Sequence, residues 1–244
     1  MEKVFERPKG LTDVEFGYCA GCMHSIVHRV IAEVMDELDV LDNTVGICPV
    51  GCAVFMYDYM SCDMIEASHG RAPAVATGVK RVLPDRLVWA YQGDGDLASI
   101  GTAEIIHAAA RGEKISVVFI NNTTYGMTGG QMAPTTLIGQ RATTCPNGRD
   151  PAVNGYPIRV CEMLATLDGP SYLERVAPTS PAGIAKMKKA IKHSFENQLA
   201  GKGFSLVEVL CTCPTHWRLS PYECLKRVEE QMVPVFPPGV FVDR

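Results

Sequence analysis

Residues 87–96 read LVWAYQGDGD, and residues 115–122 read ISVVFINN. Each is a short apolar run, rich in β-branched or aromatic residues, that stops on small and polar ones, as a strand buried on both faces does. The segment between them has helical periodicity from Ser99 to Arg111, so the unit reads strand, helix, parallel strand. Working outward, Val- and Ile-rich runs recur at Thr44 to Ile47 and Ser205 to Leu210, and helical patterns at Ser25 to Leu38, Ala72 to Val82 and Pro181 to Leu199. The alternation predicts an α/β fold with a mostly parallel sheet and helices on both faces. No repeat or low-complexity linker interrupts it, and residues 1–244 are expected to form one domain.

Two stretches depart from this rhythm. Gly126 to Tyr156 carries Gly129, Gly130, Pro134, Pro146, Gly148 and Pro151 with little apolar periodicity, and loops of such length inside a domain are usually functional or disordered. From Met232 the chain runs MVPVFPPGVFVDR and reads as an irregular tail whose hydrophobicity points to packing against another subunit.

The formal charge of −4, without a run of Lys and Arg among aromatics, excludes a broad nucleic-acid-binding surface. No stretch approaches the roughly 18 uninterrupted apolar residues of a membrane span, and MEKVFERPKG lacks the apolar core of a signal peptide. A cytoplasmic location is expected. Ten cysteines in a reducing compartment point to metal or redox work rather than disulfides.

Gly93-Asp94-Gly95-Asp96 and Asn121-Asn122 both fall at the C-terminal ends of predicted strands, where open α/β sheets bind ligands. Glycines beside Asp94 allow the backbone to approach a diphosphate, and the following helix N-terminus favours its charge. Asp94, the side-chain oxygen of Asn122 and a carbonyl just beyond it offer the oxygen ligands that Mg²⁺ shares with phosphates. His69 and Arg71 precede a helix and could set an imidazole and a guanidinium beside diphosphate oxygens. Cys19 and Cys22 lie in YCAGC, Cys52 in PVGC and Cys213 in EVLCTCPT. Four thiolates, two close and two distant in sequence, can bind zinc or a 4Fe-4S cluster. On spacing alone Cys48 and Cys211 serve as well as Cys52 and Cys213.

YCAGC, PVGC, SHGRAPAVATGVK, GDGD, NNTTYGMTGGQ and EVLCTCPT, in that order over nearly the whole chain, resemble the β subunits of 2-oxoacid:ferredoxin oxidoreductases. GDG with NN after residues 96–120 resembles the thiamine diphosphate motif of transketolase-like enzymes. The resemblance implies a thiamine diphosphate-binding fold with Mg²⁺ held by Asp94, Asn122 and the main chain of Thr124. It places Gly93, Gly95, Asp96, His69 and Gly70 around the cofactor, with Tyr125, Gly126 and Thr128 in a covering loop. It assigns a 4Fe-4S cluster to Cys19, Cys22, Cys52 and Cys213. Ala20, where Pro is common, and Met23, where Gly is common, depart from the pattern without removing a ligand. Cys62, Cys145, Cys161 and Cys224 read as buried structural thiols, and the remaining histidines as surface or core residues.

The implied activity is coenzyme A-dependent oxidative decarboxylation of a 2-oxoacid, with electrons passing through the cluster to ferredoxin. Partner subunits of the α and γ type are implied, one of them supplying the activating Glu. The loop from Thr124 to Met132 holds no Lys or Arg, which favours 2-oxoisovalerate over 2-oxoglutarate, with pyruvate a further competitor. The competing readings are a non-oxidative thiamine-dependent decarboxylase subunit and a zinc-stabilised scaffold.

Overall fold

The computed structural model describes residues 6–244; the N-terminal stretch read above for a signal peptide thus lies partly, at residues 1–5, outside the described residues. Strands β1 (Thr44–Cys48), β2 (Asp63–Glu66), β3 (Leu87–Gly93), β4 (Ser116–Asn121), β5 (Pro170–Val176), β6 (Phe204–Leu210) and β7 (Gly239–Asp243) form one sheet in the order β2-β1-β3-β4-β6-β5-β7. All neighbours are parallel except β5 and β7. Before and between them come α1 (His24–Glu37), α2 (Met56–Tyr59), α3 (Ala72–Val82), α4 (Thr102–Ala110), α5 (Pro151–Asn154), α6 (Val160–Leu164), α7 (Pro181–Leu199), α8 (Pro214–Trp217) and α9 (Pro221–Arg227).

Strand alternation divides the core into two layers. Trp89 and Tyr91 of β3 and Val118 and Ile120 of β4 face Val27, Ile31 and Met35 of α1 and Met187, Ile191 and Phe195 of α7. Val88, Ala90, Val117 and Phe119 face the opposite way, onto Ala76 of α3, Ile105 and Ala109 of α4 and Leu164 of α6. This is the doubly covered parallel sheet expected from its apolar strands. Gln198 locks α7 to the sheet: its Oε1 accepts from Val88 N at 2.6 Å and its Nε2 donates to Val88 O at 2.8 Å.

Three strands escaped the sequence reading. β2 is a largely exposed edge strand. β5 carries Glu174 and Arg175 in its second half, which breaks the apolar run although every residue in it is buried. The tail expected to be irregular instead adds β7 antiparallel to β5, with Leu173 opposite Val242, and Phe236 fully buried. Its apolar residues cover the chain's own sheet edge, which satisfies the backbone groups an open edge would expose. Arg175 extends from β5 into a buried ion network, with Nε 2.8 Å from Glu208 Oε2 of β6 and Nη2 2.6 Å from Glu162 Oε2 of α6.

Between β4 and α6 the long glycine- and proline-bearing loop is ordered by Arg149. Its guanidinium, buried away from any carboxylate, donates to the carbonyls of Ala133, Pro134, Thr136, Asn154, Gly155 and Tyr156 at 2.7 to 3.4 Å. A single side chain thus adds to the local backbone bonds of this segment, such as Gly139 N to Arg149 O and Arg149 N to Gln140 O. Among the described residues, no helix is long and apolar enough to cross a membrane.

Candidate cofactor and cluster site

The parallel strands end on one edge of the sheet, and the chain turns outward in opposite directions from β1 and β3, which leaves a crevice there. At the end of β3, Asp94 is almost fully buried. Its Oδ2 accepts from Thr135 Oγ1 at 2.6 Å and its Oδ1 from Gly95 N at 2.9 Å. Burial pushes its carboxyl up to about 6, although hydrogen bonds from Thr135 and from the Gly95, Thr123 and Asn122 backbone lower it. A buried carboxylate of this kind gains from a cation. Asn122, at the end of β4, turns its Oδ1 back onto Thr124 N at 3.2 Å. Between them Thr123 adopts φ +60, a left-handed backbone unusual for a β-branched residue. It is held there by Thr136 Oγ1 and Gln140 Nε2, which donate to its carbonyl at 2.7 and 3.0 Å.

Tyr125, Gly126 and the residues to Gln131 form a tight loop, closed by Tyr125 N to Gln131 O at 3.1 Å and Gly130 N to Tyr125 O at 2.9 Å. The Tyr125 hydroxyl donates to Gly95 O at 3.1 Å, and its ring lies so close to Gly95 that an added Cβ would come within 2.1 Å. Gly95 thus has to be glycine, and the covering loop rests on the GDG turn. Gly93 ends β3 with open space where a Cβ would stand. Thr128 is exposed and bonds Gln131 Oε1 at 2.7 Å.

Asp96 does something the sequence did not suggest. Its Oδ1 accepts from Gly70 N at 2.8 Å and pairs with His69 Nδ1, while Oδ2 accepts from Gln92 Nε2 at 2.6 Å. It fixes the His69-Gly70 turn and commits one ring nitrogen, leaving Nε2 as the other face of the imidazole. Arg71 departs from its expected place beside the diphosphate, since it pairs with Glu104 of α4 and Ile100 O.

The four cysteines come to the same edge. A Cβ built on Gly126 would lie 3.0 Å from Cys52 Sγ and 3.6 Å from Cys213 Sγ. The Cys19-to-Cys22 turn closes through Cys22 N to Cys19 O at 3.0 Å and is tied to the Cys213 segment by Thr212 Oγ1 to Gly21 O at 2.7 Å. Burial pushes Cys22 and Cys52 up to about 11 and Cys213 to about 12, and the thiols raise one another: Cys52 feels Cys22 and Cys19, and Cys213 feels Cys52 and Cys19. Cys48 is raised by burial, and the groups that add to this are Glu66, Cys62 and Asp58 instead. Cys211 is fully buried, beside Cys22, Asp94 and Cys213.

Among the described residues, no three His, Cys, Asp or Glu side chains converge where a single metal ion would sit. One zinc needs four ligands about 2.3 Å from a common centre, whereas a cluster takes each thiolate on a different iron and spreads them. Soft thiolates around a glycine cradle suit such a cluster, and one carboxylate with amide and carbonyl oxygens suits Mg²⁺ that draws its other ligands from a diphosphate. The residues present fit both groups.

Sequence reasoning missed His216, whose Nε2 lies 2.6 Å from Gly126 O and whose ring packs against Gly130, where a Cβ would come within 2.6 Å. Its place three residues after Cys213 was the available signal. His24 and His28 are buried under the cysteine turn, His24 Nδ1 lying 2.7 Å from the Tyr91 hydroxyl. Cys145, Cys161 and Cys224 are buried as expected, while Cys62 is only partly so.

Comparison with known proteins adds three findings. The family described as thiamine pyrophosphate enzyme, C-terminal TPP binding domain, matches residues 49–209. The chain is 51% identical over its whole length to the ketoisovalerate oxidoreductase subunit VorA of Methanothermobacter thermautotrophicus, covering 51% of that protein. It is 37% identical over 213 residues to the 2-oxoglutarate synthase subunit KorB of Archaeoglobus fulgidus, covering 87% of this chain and 75% of the other. The chain thus spans about half the length of the VorA subunits it matches. A solved 2-oxoglutarate:ferredoxin oxidoreductase from Magnetococcus marinus, with 2-oxoglutarate, coenzyme A and succinyl-CoA bound, shares the fold, with a TM-score of 0.78 at 23% identity over 99% of this chain and 86% of that one.

Proposed function

Because the chain belongs to the thiamine pyrophosphate enzymes and, among them, to the 2-oxoacid:ferredoxin oxidoreductase subunits, we propose that it is the thiamine diphosphate-binding, iron–sulfur subunit of an enzyme that oxidatively decarboxylates a 2-oxoacid to acyl-CoA. The observation that carries this reading is the meeting of two donor sets around Gly126: Asp94 and Asn122 at two strand ends, and Cys52 and Cys213 within contact of the same glycine. When bound, thiamine diphosphate supplies the carbon chemistry and the cluster accepts electrons singly.

This chain's residues hold and orient. Asp94, Asn122 and the Thr124 carbonyl would hold Mg²⁺ beside the diphosphate, and the Tyr125-to-Gln131 loop would exclude water above them. Gly70 and His69, braced by Asp96, bound the opposite side, and Cys19, Cys22, Cys52 and Cys213 hold the cluster beside the same loop. Residues 1–244 act as one domain, with the cysteine segment and the β7 end contributing to cluster and subunit contacts. Phe236 and Met232 pack in one apolar group with Cys213. A partner subunit supplies the activating Glu, and ferredoxin takes the electrons in the cytoplasm.

The substrate is 2-oxoisovalerate, supported by the cation-free loop from Thr124 to Met132 and by the ketoisovalerate naming of the 51% identical relatives. Anaerobic reconstitution tests the first part: about four irons per chain, lost on Cys→Ser at each of the four positions, and Mg²⁺-dependent thiamine diphosphate binding lost in Asp94→Ala and Asn122→Ala. A colourless reconstituted protein, or dispensable Cys52 with essential Cys48, overturns the cluster assignment. On the assembled complex, a tenfold higher kcat/KM for 2-oxoglutarate than for 2-oxoisovalerate, about 1.4 kcal/mol in transition-state binding, reverses the substrate assignment alone.

A further inference from the structure

Helix α8 begins at Pro214, directly after Cys213, and carries His216 as its third residue. Burial raises the Cys213 thiol, and a hydrogen bond from the His216 backbone works against that rise. The same turn closes through Trp217 N to Cys213 O at 3.0 Å, and Trp217 packs with Cys213, Leu210 and Phe236 in one apolar group. The main chain of His216 thus belongs to the cluster side. Its side chain belongs to the other: the half-buried imidazole crosses to the covering loop, where Nε2 lies 2.6 Å from Gly126 O.

A carbonyl only accepts, so Nε2 carries the proton of this bond. Nδ1 faces Gly130, where an added Cβ would come within 2.6 Å of it, and one imidazole therefore touches both ends of the loop. Between these glycines Met127, Thr128 and Gly129 are exposed. Among the described residues, no other hydrogen bond from outside the loop reaches residues 126–129. Gly126 is also where the two donor sets meet: an added Cβ would lie 3.0 Å from Cys52 Sγ, 3.6 Å from Cys213 Sγ and 4.0 Å from Asn122 Nδ2. A carbonyl pinned at that glycine fixes the covering loop relative to the cysteines. Without the bond, the carbonyl turns to water and the exposed tip keeps only the bonds internal to the loop.

We propose that His216 is a positioning residue that couples the two sites: with its backbone on the Cys213 sulfur and its imidazole on Gly126 O, occupation of the cysteines closes the loop over the diphosphate, and occupation of the diphosphate site steadies the cysteines. The inference rests on the cofactor and cluster reading given above and adds to it a link between the two groups. Such a link is a coupling free energy, reciprocal between the sites and commonly worth about five- to 150-fold in affinity.

The test is anaerobic calorimetric titration of thiamine diphosphate, in excess Mg²⁺, into the full chain with its cluster reconstituted and, separately, into the full chain stripped of iron by a chelator. The parent is expected to bind at least about fivefold more tightly with the cluster than without it. His216→Phe keeps a ring against Gly130 but has no donor for Gly126 O, and the ratio should fall below about twofold. His216→Gln sets an amide N–H where Nε2 stood and should keep the ratio. Gly130→Ala, whose methyl would come within 2.6 Å of Nδ1, displaces the ring from the other side and should lower the ratio as His216→Phe does, so the outcome does not hang on one variant. Hydrogen exchange gives a second readout: the cluster should protect residues 125–131 in the parent and in His216→Gln but not in His216→Phe, with β3 and β4 protected throughout. Equal affinities with and without the cluster, in a parent that binds thiamine diphosphate, overturn the proposal and leave the cofactor reading standing. So does a His216→Phe ratio equal to the parent's, or a His216→Gln ratio that falls with it. A parent that binds no thiamine diphosphate in either form sinks the cofactor reading and the proposal together.

Discussion

Replacing Arg175 by Met removes the centre of a charge network enclosed between the sheet and the C-terminal segment. In the native protein the fully buried guanidinium meets Glu208 at 2.8 Å and Glu162 at 2.6 Å, and Glu208 Oε1 also accepts from Asn121 Nδ2 at 2.8 Å. Glu162 is partly exposed and can return to water, but Glu208 cannot. Arg175→Met therefore strands one carboxylate in the interior with a neutral amide as its polar partner. Breaking a buried pair from one side costs about 3–5 kcal/mol. At about 2–4 °C per kcal/mol for a chain of this size, thermal unfolding should drop by roughly 6–20 °C. Since Gln at position 208 keeps an acceptor for Asn121 without the charge, Arg175→Met/Glu208→Gln should regain at least half of the loss. Differential scanning calorimetry of the parent and both variants decides this. A single variant melting within about 3 °C of the parent, or a double variant no more stable than the single, would refute the argument that the stranded charge dominates.

Three further outcomes are expected. Gly95→Ala drives a methyl into the Tyr125 ring, so the covering loop must lift and thiamine diphosphate affinity should fall at least tenfold with unaltered circular dichroism; unchanged affinity in a titration by tryptophan fluorescence would show that the loop does not seal the site. Arg149→Met should sharply raise hydrogen exchange over residues 133–156 while β3 and β4 stay protected, because six carbonyl contacts end at that one guanidinium; continued protection of the loop would disprove its role as organiser. Burial holds the His28 imidazole well below its ordinary value, with His24 adding to the effect. Below pH 6.5 the unfolded chain takes up a proton that the folded ring refuses, so stability is retained above that pH and lost as pH falls. His28→Phe should flatten the decline in melting temperature between pH 7 and 5, and an equally steep decline in the variant contradicts this.

The strands legible in the sequence, β1, β3, β4 and β6, are those in which β-branched and aromatic residues dominate, even though β6 buries one charge, Glu208. β5 was hidden because its interior holds Glu174 and Arg175, and a charge in a buried strand is readable only once its partner, Glu208 on β6, is known to lie alongside. β7 was hidden by the prolines before it and because an edge strand is defined by the neighbour it covers. In the site, Asp94, Asn122 and the cysteines could be named because short motifs carry them. Asp96 belongs to the same GDGD motif, but its service to His69 and Gly70 depends on a loop 26 residues away.

Thr123 has a consequence for how this site withstands change. A β-branched residue at φ +60 sits where Gly or Asn would relax the backbone, by about 1 kcal/mol or more. Most proteins lie just above the stability they need, and selection for robustness alone harvests such positions first. In a thermal screen of this chain, substitutions at 123 should rise early. Each would loosen the turn in which Asn122 Oδ1 accepts from Thr124 N. A lineage that had lost its need for the cofactor would be recognisable by drift at this threonine, before any change in Asp94 or Asn122.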